Sequence, residues 1–378
     1  MHMSHLRIKR TFAMAAIALM GSLGYVSGSA GAVVGNTVYV STTGTDAPNT
    51  CSTPSTACAT INYAISVAVP GDSVSVAAGS YHQTVDVNKA VRVVGSGAGR
   101  TTIDGSGLDP VPLYGVVYVG PTGGASSVSG FTITNAADYA ETGGAPEVVA
   151  LADSNPSDSV VISSNIISLG SDPTSGTDFP IGIDTFNNAA TTTIFHNNIS
   201  GTFQGALLED NGPVAFTHNR VVGLIPNTFT DNSGVTPNVE TFPGEGLFFL
   251  SDESGSLTGQ NATNNNFAHY AGYGIIMEAG YNSGNCTATP CNGSIAGTIS
   301  HNHLALGGAS ETTTGPPATS KPAVGIELKA EFNGNNLTVD MSNNRGFVHS
   351  PSLATLQQAT NGATITVTGS GNRIRVRP

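Results

Sequence analysis

Five segments of the 378-residue chain open on glycine and then alternate: Gly182-Ile183-Asp184-Thr185-Phe186, Gly205-Ala206-Leu207-Leu208-Glu209, Gly246-Leu247-Phe248-Phe249-Leu250, Gly274-Ile275-Ile276-Met277-Glu278 and Gly325-Ile326-Glu327-Leu328-Lys329. If each is a strand whose first residue after glycine faces inward, then Asp184, Phe186, Leu207, Glu209, Phe248, Leu250, Ile276, Glu278, Glu327 and Lys329 share one outer face. Stacked strands stand ~4.8 Å apart, which makes Glu278 and Lys329 neighbours and sets Glu209 two strands from Glu278. Such a group could perform acid–base chemistry. In eliminative cleavage of a uronic-acid polymer, Lys329 would be the base and Arg345 the acid or substrate clamp, while Glu278, Glu327 and Glu209 would hold Ca²⁺, a hard cation that takes carboxylate oxygens. Hydrolysis is the second option, because Glu209 and Glu278 at ~9.6 Å stand at the upper edge of inverting geometry. The plainest reading is a cross-strand Glu278–Lys329 ion pair on a solvated sheet, with catalysis nowhere in it. Asp184, Phe186, Phe248 and Tyr273 are the substrate-binding candidates. An exposed apolar set of Leu207, Phe248, Leu250 and Ile276 requires a cover, for which the loop from Leu224 to Glu245 is the first choice.

These residues are positioned by a repeat. Asn135, Asn165, Asn197, Asn219, Asn265, Asn302, Asn344 and Asn372 each end a short alternating strand, at spacings of 22 to 46 residues. Asparagine tolerates a left-handed turn, and its amide can bond to the turns above and below. Each unit reads as strand, turn, strand, Asn turn, strand, loop, and extra residues leave the solenoid as loops. The expected fold is all-β, a right-handed parallel β-helix in one domain over 33–378. Hairpin signals are too scarce for a β-sandwich. Cys58 to Val69 carries apolar residues at helical spacing and stops at Pro70-Gly71, as a cap helix would. The long loops Leu169 to Ile181, Leu224 to Glu245 and Leu306 to Val324 all precede a Gly-led strand.

Arg7, Lys9 and Arg10 precede an apolar run from Thr11 to about Val26, and Ala30-Gly31-Ala32 supplies small residues, so 1–32 reads as a signal peptide. No membrane association is expected after cleavage. All 25 Asp and Glu follow Ala32 with 10 of the 13 Lys and Arg, a formal charge of −15 that argues against a nucleic-acid partner. Four cysteines in an exported chain suggest two disulfides. Three pairings are open, and Cys51 with Cys58 and Cys286 with Cys291 are the simplest.

The segment Thr60-Ile61-Asn62-Tyr63-Ala64-Ile65, through Pro70-Gly71-Asp72-Ser73-Val74-Ser75-Val76-Ala77-Ala78-Gly79-Ser80-Tyr81 and on to Val94-Gly95-Ser96-Gly97, resembles the cap helix and first coil of the pectin-lyase-like superfamily. The resemblance covers most of Val38 to the C-terminus and implies the fold and a substrate groove along the Gly-led face. Chondroitinase B and related alginate lyases of that kind use a similar Lys, Arg and acidic-metal set. The esterase glutamate is replaced by Gln83, and the polygalacturonase and Trp-bearing pectate lyase signatures are absent. The expected function is therefore binding or processing of an extracellular polysaccharide, with lyase chemistry as one form of it. The alternative is a non-catalytic surface or adhesion β-helix that engages a protein. His196, His218 and His301 stand immediately before ladder asparagines and read as turn residues that stack on one another.

Overall fold

The structure, a computed structural model, describes residues 35–108, 115–136, 146–170, 179–186, 188–209, 211–225, 227–231, 238–251, 255–270, 272–280, 293–307, 310–313, 319–331, 334–349 and 353–377. The proposed signal peptide and the Cys286–Cys291 pair lie outside them. Among these residues no helix is long and apolar enough to cross a membrane.

The chain winds as a right-handed parallel β-helix of three sheets. Sheet A runs into the Asn turn and sheet B leaves it. Sheet C carries the Gly-led strands. They contain 11, 10 and 9 parallel strands among the described residues. Alternation accounts for this, because each strand sends every second residue inward to a column of its own kind. Sheet A stacks Val93, Val128, Ile162, Ile194, Phe216, Ala262, Ile299 and Met341 in register. Sheet B stacks Ile103, Ile133, Ile167, Ile199, Val221, Phe267 and Leu304. Sheet C answers with Val117, Val149, Ile183, Ala206, Leu247, Ile275 and Ile326. All belong to one buried core. Burying each large aliphatic side chain contributes roughly 1.5–3 kcal/mol, so a column that shares one register resists slippage strongly.

The asparagine ladder runs from Asn165 through Asn197, Asn219, Asn265, Asn302 and Asn344 to Asn372. Each amide N–H and Nδ2 donates to the Oδ1 of the next rung at 2.9–3.3 Å. The other Nδ2 hydrogen meets a backbone carbonyl of the preceding coil, as from Asn302 to Ala262. The structure corrects two expectations. Asn135 is not a rung: it follows the sheet B strand Thr132–Thr134 and donates to Asp104, and Phe131 holds the ladder position in that coil. The left-handed residue is also not the rung but the one before it: Ser164, His196, His218, Asn264, His301 and Asn343 have φ of 54–58°. Turning the chain and bonding the coils are thus separate jobs on adjacent residues. His196 and His218 belong to the turn as expected, with ring centroids 5.3 Å apart.

The predicted helix is realised as seven residues, Ile61–Val67, with Thr60 as N-cap. It takes the place in the first coil that a sheet C strand takes later, and it packs on the first sheet C strand, Val85–Val87. Cys51 and Cys58 form a disulfide across their short loop, with Cα atoms 5.2 Å apart. Two of the long loops are not plain loops. Their strands Asn227–Asp231, Asn238–Phe242, Ser310–Thr313 and Thr319–Pro322 pair in a fourth, antiparallel sheet, in which Thr241 opposes Thr312.

Candidate functional site

The outer face of sheet C is set by its glycines. A Cβ on Gly182 would lie 2.5 Å from the Gly205 carbonyl oxygen and 2.6 Å from Ile199 Cγ2, a core atom. Gly182 therefore faces the core, and so does Ile183 after it. With two successive inward residues, the residue before the glycine is turned outward as well as the one two positions after it. The face thus carries a row that simple alternation assigns to the core: Ile181, Gln204, Glu245 and Tyr273, in register.

On this outer face lies a second apolar cluster, distinct from the solenoid core, of Ile181, Leu207, Phe248, Leu250, Tyr273, Ile276, Ala323 and Val324. The apolar residues thought to need a cover are buried, Phe248 at 5% and Ile276 at 3% exposure. The side chains of most of the loop proposed to cover them lie outside the described residues. Asp184 and Phe186 are also buried, three coils before Glu278. Phe248 and Tyr273 thus belong to this buried cluster.

Three ionisable side chains from two adjacent strands meet on this face, and a fourth, Glu245, stands within electrostatic reach of them. Lys329 Nζ lies 3.5 Å from Glu278 Oε2 across the strand pair and 3.7 Å from Glu327 Oε1 on its own strand. Glu245, one strand earlier, accepts a 2.6 Å hydrogen bond from Gln204 Nε2. Glu245, Glu278 and Glu327 are 7, 1 and 4% exposed, and the Lys329 side chain, at 17%, reaches furthest to the surface. Desolvation pushes the Glu245 carboxyl up to about 7. The Gln204 bond and the Lys329 charge oppose the rise, and Glu327 and Glu278 add to it. Burial raises Glu278 too, against the pull of Lys329. Glu331 is raised by burial first and by Glu278 second. Among the described residues, Glu278 Oε1 and Asp184 Oδ1 are buried with no hydrogen-bond partner.

Of the residues read from the sequence, Glu278, Glu327 and Lys329 come together. Glu209 stands two strands from Glu278 with Leu250 between them. Arg345 does not join. It opens the strand Arg345–His349 on sheet B, exposed, so the lysine has no arginine beside it from that position. The acid–base group missed in the sequence is Glu245. Sequence pattern places it at the end of a loop, and only the inward pair at the following glycine reveals that it faces outward. Of the three carboxylates read as calcium ligands, Glu278 and Glu327 both face the Lys329 ammonium and Glu209 stands two strands from Glu278; no group of three or more metal-ligating side chains occurs among the described residues.

The raised Glu245 fixes the sign of a pH effect. Its carboxyl binds a proton more tightly in the folded state, at about 7, than in the unfolded chain, at the ordinary 4.5. Stability is therefore fullest below the lower value and falls as pH rises through the upper one, by about 3 kcal/mol for this group. Urea unfolding at about pH 5 and about pH 8 should show this fall, and Glu245→Gln should flatten it. An equal fall in the variant would refute the assignment.

No protein-family model and no curated protein matches this chain. Several solved structures resemble it. An alginate lyase from Paenibacillus sp. is 13% identical, with a TM-score of 0.42 over 87% of this chain and 99% of that one. A pectin methylesterase from carrot is 12% identical, with a TM-score of 0.36 over 91% and 89%. A pectate lyase is 13% identical, with a TM-score of 0.35 over 90% and 80%. The right-handed parallel β-helix itself is displayed by the chain's own three sheets.

Proposed function

We propose that the protein binds and cleaves an extracellular polysaccharide on the outer face of sheet C, with Glu245, Glu278, Glu327 and Lys329 as its acid–base centre. The observation that carries this reading is two buried carboxylates held by one ammonium, with a third buried carboxylate, Glu245, close enough to feel their charges. Burying each ion costs several kcal/mol, and apolar residues of like volume would serve stability as well or better. Ionisable groups held with shifted pKa values on one face are the signature of a chemical site. Glu245, near 7, can give or take a proton at neutral pH. Glu278, held by Lys329, is the partner carboxylate.

The balance of charge chooses between the two chemistries. Three carboxylates to one ammonium, in a chain of −15 beyond its leader, repel a polyuronate and accept a neutral glycan. Hydrolysis with Glu245 as general acid is thus preferred to elimination with Lys329 as base. The test is incubation with a panel of neutral glycans and polyuronates, following reducing ends and the absorbance of unsaturated product. Reducing ends from a neutral glycan without unsaturated product are expected, with a fall of about 100-fold in Glu245→Gln. Unsaturated product would reverse the choice of chemistry, and silence on every glycan would overturn the proposal.

A further inference from the structure

Positive charge is scarce in this chain, yet four of the ten Lys and Arg that follow Ala32 stand on two neighbouring strands of sheet B, Arg345–His349 and Arg373–Arg377. Arg345, Arg373, Arg375 and Arg377 are all exposed. Their register sets Arg345 directly opposite Arg373, Phe347 opposite Arg375, and His349 opposite Arg377. His303 continues the first row one coil earlier, opposite Arg345. Among the described residues none of the four arginines forms an ion pair. The one carboxylate on the described strands of sheet B is Asp104, seven strands from Arg345 and so about 34 Å away at ~4.8 Å per strand.

Like charges directly opposed on a sheet are destabilising, and nothing within the described residues compensates for these. The side chains are also arranged for binding. The Arg377 guanidinium lies 3.8 Å from the Phe347 ring centroid, which holds it flat against the sheet. Guanidinium groups offer paired donors to planar or tetrahedral anions. The first row, His303, Arg345 and Arg373, runs along the solenoid axis with one such group every coil, ~4.8 Å apart, a spacing suited to a linear polymer with one anion per unit.

From this we infer that the outer face of sheet B at the C-terminal end is a second binding site, for an anionic polysaccharide bearing carboxylate or sulfate groups. It is separate from the acid–base cluster on sheet C. The bulk negative charge of the chain excludes general attraction of polyanions, so binding is confined to this face and to chains that can lie along it. Held there, the protein would be anchored to an acidic matrix while sheet C stays available.

The test measures binding of the whole chain to polygalacturonate and to dextran sulfate at low ionic strength. The triple variant R345S/R373S/R375S, checked by circular dichroism for an intact fold, should bind at least about tenfold more weakly. The charge-preserving set R345K/R373K/R375K should keep most of the affinity. Binding should also vanish near 1 M salt, where the screening length is about 3 Å. Preference for one polymer would tell carboxylate from sulfate recognition. Unchanged affinity in the folded serine variant, or no binding to either polymer, would overturn the site. Equal competition by single-stranded DNA would overturn its assignment to a glycan.

Discussion

Lys329→Met should destabilise the protein by about 3–5 kcal/mol at neutral pH, because it leaves Glu278 and Glu327 buried without their ammonium. Methionine keeps most of the volume, so the loss is electrostatic and not a cavity. Its sign with pH follows from that. Glu278 is already raised by burial, and removing Lys329 raises it further. The loss should be complete where both carboxylates ionise and should shrink as acid protonates them. Denaturant unfolding across pH checks this, and the double variant Lys329→Met/Glu278→Gln separates the causes. If the pair is the source, the second change recovers much of the stability. A double variant as unstable as the two losses added together would show that the groups act independently.

Asn302→Ala is the second large effect. The Asn302 side chain accepts from the Asn265 amide and Nδ2, and donates to the Ala262 carbonyl and to Asn344 Oδ1. Alanine keeps the turn, since the left-handed residue is His301, but it strips partners from several buried polar groups. Each orphaned group costs about 1–3 kcal/mol, so two left unsatisfied cost roughly 2–6 kcal/mol. His301→Gly should be mild by comparison, because glycine takes a positive φ without strain and His301 is exposed. Thermal unfolding of the two variants side by side separates ladder from turn. A larger loss in the histidine variant would show that the roles are reversed.

The likeness of neighbouring residues hid this division of labour. Asn264 and Asn265 sit side by side, as do Asn343 and Asn344, and in each pair the first turns the chain and the second bonds the coils. A one-residue shift in register is invisible when both residues are asparagine. Asn135 misled for a related reason: it also follows a short alternating strand, but one that belongs to sheet B. The cluster on sheet C was legible in part. Glu278, Glu327 and Lys329 follow their glycines at fixed offsets, so strand period alone assigned them to one face. Glu245 precedes its glycine, where the period breaks.

The sequence by itself determined the solenoid, the ladder register from Asn165 onward and the partnership of Glu278 with Lys329, and it made Cys51 with Cys58 the simplest of the open disulfide pairings. These depend on local period and on contacts between equivalent positions of adjacent coils, and both are written as repeats. Tertiary structure alone decided that Glu245 faces outward, that Arg345 belongs to a basic face on sheet B, and that two loops distant in sequence join in a fourth sheet through Thr241 opposite Thr312. Those outcomes depend on how the backbone bends where glycine columns bring neighbouring coils into contact, and on which sheet a residue reaches after each turn. No single repeat encodes that geometry.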